Sequence, residues 1–177
     1  MEKKPGGDKE VSPALTRATV AIIEEQIATA PVEHAVVLDD AGTLLVNKAG
    51  ERRAVSFTSD EVTRMRGAAV FTHNHPGGTS FSLPDILMAK RLNIREMRVV
   101  TGRTPYVLRP PRDGWPALAL RDLLSAVQAA DVEVEERLRA QIQGGGLSKT
   151  EANRRHWHEV WTQVARQVGL HYRKRTR

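Results

Sequence analysis

The sequence predicts an α/β protein: a mixed β-sheet sandwiched by helices over residues 12–116, followed by a C-terminal helical extension. Two observations carry this. Segments of helical period and short apolar runs of strand length follow each other as helix, strands, helix, strands, helix. The chain's 177 residues, 40% of them hydrophobic, suffice for one cored domain with appendages.

Residues 1–11 are charged and Gly-rich and read as a disordered leader. Ser12-Pro13 opens a helix, Ser as N-cap and Pro at the first helical position. Its stripe of Leu15, Ala18, Ile22, Ile23 and Ile27 runs down to Pro31. Glu33 to Leu38 reads as a buried strand. Asp39-Asp40-Ala41-Gly42 turns the chain, and Thr43 to Val46 returns it as a hairpin. Arg53 to Phe57 reads as a third strand. Ser59-Asp60-Glu61 caps a short helix ending at Gly67, and Ala68 to Phe71 is a further strand. Ser82 opens a helix to about Leu92, Met97–Thr101 and Tyr106–Leu108 are later strands, and residues 117–143 are helical. Gly144-Gly145-Gly146 reads as a hinge. Beyond it a last helix repeats Trp157, Trp161, Val164 and Val168 at helical spacing, a stripe that needs burial on the body or on another chain. The body before the hinge is expected to be complete without that helix, which serves partner docking or oligomer assembly.

Composition narrows the chemistry. With no cysteine there are no disulfides, no thiolate nucleophile and no Cys-ligated zinc, so a metal site must use His, Asp and Glu. No apolar run reaches the roughly 18 residues of a membrane span, and residues 1–10 lack the apolar core of a secretory signal, so a cytoplasmic location is expected. The net charge of +6 is confined to the end of the chain: the 19 basic and 19 acidic residues up to position 146 cancel. The basic terminus at residues 173–177 is either a solvated tail or a contact for a polyanion.

One stretch carries specific content: Phe71 to Asp85, FTHNHPGGTSFSLPD. In extended chain, side chains at i and i+2 face the same way, so His73 and His75 aim at one point. After the Pro76-Gly77-Gly78 turn, Ser82-x-x-Asp85 puts a carboxylate in the first turn of a helix, where the helix end keeps it ionised. Two imidazoles, a carboxylate and an open fourth position describe a catalytic zinc site, one ion per chain. Zinc lowers the pKa of bound water from 15.7 towards ~7. Glu33, at the start of a strand, is the candidate general base, ahead of Glu24, Glu25, Asp39, Asp40 and Glu51, and Ser82 can offer its hydroxyl. Taken alone, Ser82-x-x-Asp85 is also an ordinary helix cap.

This constellation resembles the JAMM (MPN+) zinc metalloprotease family, whose pattern is an upstream Glu on a strand, His-x-His-Pro, and Ser-x-x-Asp at a helix start. The likeness covers roughly residues 31–110, and bacterial and phage branches carry the same His-Asn-His-Pro. It implies an MPN/cytidine-deaminase-like fold, His73, His75 and Asp85 as zinc ligands, Glu33 as water-activating acid, and Ser82 as oxyanion stabiliser. It further implies a protein or peptide substrate cut at a peptide or isopeptide bond, a ubiquitin-like tail among the candidates. Two departures are visible. Six residues separate His75 from Ser82 where the family usually has seven, which tightens the Thr79-Ser80-Phe81 loop. The stretch between Asp85 and Tyr106 is too short for the long insertion with which eukaryotic members hold ubiquitin.

Other readings are weaker. The adjacent His73-Asn74-His75 is not the dispersed triad of an HNH nuclease, and a zinc deaminase would need a Cys pair. His156 and His158 point apart on a helix, and Trp157 and Trp161 read as a packing seam. The alternative from another class is a catalytically idle MPN-type scaffold whose basic helical tail binds a protein or nucleic acid.

Overall fold

The computed structural model describes residues 13–102 and 104–175, with the side chains of 13–16 excepted. The expected leader, the Ser12 cap, the Leu15 side chain and the last two residues lie outside that description. Five helices and six strands follow in the order α1 (Pro13–Ile27), β1 (His34–Leu38), β2 (Leu44–Ala49), α2 (Ser59–Met65), β3 (Val70–Asn74), α3 (Leu83–Leu92), β4 (Met97–Thr101), β5 (Thr104–Arg109), α4 (Leu120–Gln143), α5 (Lys149–Val168) and β6 (His171–Lys174). The strands form one mixed sheet in the order β2-β1-β3-β4-β5-β6. Only the central β3–β4 pair is parallel. Its crossover is α3, as a parallel connection requires. Among the described residues no helix is long and apolar enough to cross a membrane.

Strand alternation divides the side chains between two faces. Val36 and Leu38 of β1 and Val70 of β3 meet Val20 and Ile23 of α1 on one face. Ala35 and Val37, Phe71, Met97 and Val99 join the larger core under α2, α3, α4 and α5 on the other. The α1 face carries a buried polar cluster. Arg98 Nε and Nη2 donate to Glu24 Oε1 and Oε2 at 2.6 and 3.0 Å, Arg98 Nη1 donates to Glu96 at 2.7 Å, and Thr72 Oγ1 donates to Glu24 at 3.2 Å. Glu24 is 2% exposed and Arg98 6%.

Local chemistry sets the element ends. The Asp39 carboxylate accepts the N–H groups of Ala41 and Thr43 at 2.9 and 2.7 Å and folds the hairpin turn, with Gly42 at φ 78°. Thr58, one residue earlier than expected, is the cap of α2 and forms a reciprocal box with Glu61.

Two expectations change and one alternative is decided. Arg53 to Phe57, expected as a third strand, joins no ladder and forms no strand. Its apolar residues are used all the same: Val55 and Phe57 pack against the core, and Phe57 meets Phe71 edge-on at 6.0 Å. The chain doubles back tightly at Gly50: Glu51 N–H donates to Ala54 O at 2.7 Å, and a Cβ added at Gly50 would lie 2.2 Å from that same oxygen. Second, Gly144-Gly145-Gly146 is a bonded helix–helix turn. Its N–H groups donate to Ala140, Ile142 and Gln141 carbonyls at 2.9, 3.0 and 3.0 Å, and Gly145 takes φ 74°. Of the two coverings left open for the stripe on the last helix, the body supplies it: Val160, Trp161 and Val164 are all 0% exposed in the common core. Beyond it the basic segment supplies β6, paired antiparallel with β5.

Two outcomes follow. Glu24→Ala, which removes two of the three carboxylate hydrogen bonds of buried Arg98 and leaves it Glu96 alone, should cost up to about 3–5 kcal/mol in denaturant unfolding, whereas Asp40→Ala, at an exposed pair with Arg95, should cost about 1 kcal/mol or less. A chain ending at Gln143 exposes the apolar surface that α5 covers, and calorimetry should find no cooperative unfolding.

Candidate metal centre

β3 ends in the centre of the sheet, and its pleat sends His73 to the helix-covered face, opposite the N-terminus of α3. His75 follows beyond the strand end, where its N–H still donates to Val100 O at 3.1 Å. The two rings converge: His73 Nε2 lies 3.1 Å from His75 Nε2, 3.4 Å separates His73 Nε2 from Asp85 Oδ1, and 3.5 Å separates His75 Nε2 from Asp85 Oδ2. Neighbouring donors around a tetrahedral zinc stand about 3.3 Å apart when each is 2.0–2.1 Å from the ion. The three residues therefore fit a zinc ion without rearrangement, and they form the one such cluster of three among the described residues.

The surroundings fix this arrangement. His75 Nδ1–H donates to Ser80 O at 3.0 Å, with Thr79 O at 3.2 Å, which leaves the Nε2 lone pair facing Asp85. Burial, reinforced by neighbouring His73, pulls the His75 pKa down to about 4 against the attraction of Asp85, so the ring is neutral at pH 7. Burial disfavours the Asp85 carboxylate, but His73, His75 and the Ser82 hydrogen bond outweigh it and hold Asp85 well below the usual carboxylate range. His73 Nδ1 is buried and has no partner among the described residues.

Ser82 and Asp85 form the helix cap of α3 as well. Ser82 N and Oγ both donate to Asp85 Oδ2 at 2.7 Å, and Asp85 N donates to Ser82 Oγ at 3.4 Å. The cap and the histidines share the carboxylate: Oδ1 faces His73, and Oδ2 carries the cap and faces His75. Ser80 instead pairs with Tyr172.

Glu33 shares a cleft with His75, Ser82 and Asp85. Its N–H donates to Glu51 O at 2.8 Å and its carbonyl accepts Gly50 N–H at 2.7 Å, which pins the backbone beside β2. Burial raises its pKa, Asp85 adds to the rise, and His73 opposes it. The competing acids are elsewhere: Glu24 lies on the opposite face of the sheet with Arg98, Asp39 is in the hairpin turn, Asp40 pairs with Arg95, and Glu25 and Glu51 are exposed.

Sequence reasoning missed the supports. Asn74, between the two histidines, is 0% exposed and faces α1. Its Oδ1 accepts His34 N–H at 2.6 Å while Nδ2 donates to Val32 O at 3.1 Å and Ala30 O at 3.3 Å, clamping the segment that bears Glu33. An amide in an otherwise buried strand was the available signal. The other supports come from the chain end: Trp161 Nε1 donates to Phe81 O at 2.8 Å, and Tyr172 Oη meets both Ser80 Oγ and His158 Nδ1 at 2.8 Å. The site is thus backed by α5 and β6, against the expectation of independence. His156 goes separately to Asp131, 2.9 Å away.

Compared with family models, with curated proteins and with solved structures, the chain matches none.

Metal analysis should find one zinc per chain in the parent protein, and His73→Ala and Asp85→Asn should each reduce that to a small fraction. The Asn variant keeps an acceptor for the Ser82 cap, so circular dichroism should show α3 intact while zinc is lost.

Proposed function

We propose that the protein is a zinc-dependent hydrolase of peptide or isopeptide bonds, of the JAMM type and with an MPN-like fold. What supports the reading is one observation: a buried His73–His75–Asp85 triangle with zinc-ligand spacing opens into the same cleft as Glu33, a carboxyl whose pKa is raised. A glutamate at the first strand, His-x-His at the end of a central strand and Ser-x-x-Asp at the next helix also match the motif order of that family.

His73, His75 and Asp85 would hold the ion, which when bound supplies Lewis acidity and lowers the pKa of water. Glu33, half-buried and in no salt bridge among the described residues, takes a proton from the attacking water at its carboxylate oxygen. It returns that proton to the leaving amine as the C–N bond breaks. Ser82 Oγ–H, now directed at Asp85, must turn to donate to the oxyanion as the carbonyl becomes tetrahedral. Asn74 keeps Glu33 at the cleft by tying down residues on both sides of it.

Glu33→Gln should keep the zinc and lower the turnover of a quenched peptide library by about 10²–10⁴-fold. Because only the ionised carboxylate accepts a proton, activity of the parent rises as pH increases through the raised Glu33 pKa. The Gln variant should lack that acidic limb. Full activity in the variant would remove Glu33 from the mechanism.

A further inference from the structure

We propose that the cleft selects peptides carrying acidic side chains two to three residues from the cleaved bond, next to an apolar residue; this rests on the hydrolase reading above. The cleft has a volume of about 1020 Å3, ample for an extended peptide of several residues. Its floor is aliphatic, formed by half-buried Val55, Val62, Leu87 and Met88. Its charges are one-sided. Arg52 and Arg53 stand on the segment after β2 and Arg91 on the last turn of α3, all exposed, and none is in an ion pair or side-chain hydrogen bond among the described residues. Among the described residues the acids lining the cleft are Glu33 and Asp85, and both belong to the site. Asp85 is committed to the histidines and Ser82, so the arginine charges are left for an incoming chain.

Spacing along α3 sets the register. Arg91 lies six residues beyond Asp85, roughly 9 Å at 1.5 Å per residue. An extended peptide covers that in about three residues at ~3.3 Å each. An acidic side chain there meets guanidinium groups, while a side chain adjoining the scissile bond rests on Leu87, Met88 and Val55. A nucleic acid would also answer the charge, but no Phe, Tyr or Trp lines the cleft to stack a base. The aliphatic floor favours a peptide.

The test uses three internally quenched peptides of equal length with a central Leu, flanked three residues away by Glu, Ser or Lys. For the full-length zinc protein, kcat/KM should favour the Glu over the Lys peptide by about tenfold at low salt. The preference should shrink as salt is added. Arg91→Ala and the Arg52→Ala/Arg53→Ala pair, all at exposed positions, should each move the Glu-to-Lys ratio towards one. Equal cleavage of the three peptides, or a ratio that the arginine variants leave untouched, overturns the proposal. In parallel, anisotropy of the labelled peptides on Glu33→Gln protein reads selection without turnover. Selective binding of the Glu peptide with no cleavage by the parent would support the selectivity and defeat the hydrolase reading instead. A labelled single-stranded oligonucleotide that binds more tightly, and loses affinity in the arginine variants, would assign the cleft to nucleic acid and overturn the peptide proposal.

Discussion

The pleat of β3 is the constraint on which the rest depends. Five residues in the middle of the sheet, all buried, must send alternate side chains to opposite faces. Val70, Thr72 and Asn74 serve the α1 face: one fills its apolar patch, one joins the Glu24–Arg98 pair, and one clamps the segment carrying Glu33. Phe71 and His73 serve the other face, where Phe71 enters the large core and His73 reaches Asp85. A register slip of one residue would exchange these sets, putting an imidazole under α1 and an amide at the cleft. The ladders prevent this: β1 pairs with residues 70–73 and β4 with residues 71–74, so Phe71, Thr72 and His73 are held from both sides.

The loop from Pro76 to Phe81 is held from behind by parts of the chain distant in sequence. Its carbonyls at Thr79 and Ser80 orient His75, so its backbone must stay in place for the lone pair to point inward. Trp161 reaches Phe81 O across a separation of 80 residues, and Tyr172 reaches Ser80 across 92. Both contacts lie in a core shared with α3, where Ile86 and Ala89 are fully buried. The C-terminal segment therefore positions the ligand loop, and its ordering by the glycine turn is part of building the site.

What was legible in the sequence was whatever depends on short range. Strand alternation placed His73 and His75 on one side, Ser82 and Asp85 formed the cap their spacing implies, and Asp39 to Gly42 turned where the side-chain chemistry demands. What was illegible depends on pairing between distant segments. The apolar Val55 and Phe57 report burial against a core, and nothing local reveals that the segment finds no ladder partner. The basic end looked like a solvated tail because β6 buries little: Tyr172 turns inward, while His171, Arg173 and Lys174 stay exposed. Three consecutive glycines look like a hinge, yet the same freedom lets the chain satisfy three N–H groups in one turn.

The electrostatics of the cleft divide its two carboxyls by role. Asp85 and Glu33 share one cavity, and burial raises the pKa of each. For Asp85 the histidines and Ser82 overcome that penalty, leaving an anion suited to ligation at any ordinary pH. For Glu33 only His73 opposes burial, and the negative charge of Asp85 adds to the rise, so the carboxyl sits closer to the balance between its two protonation states. A ligand must stay ionised, and a proton carrier must be able to hold and release a proton near working pH. The fixed charge on Asp85 is itself one cause of the raised affinity of Glu33 for a proton. The two carboxyls are coupled through the field in one cleft, so removing the Asp85 charge lowers the proton affinity of Glu33 as well as changing the His73–His75–Asp85 triangle.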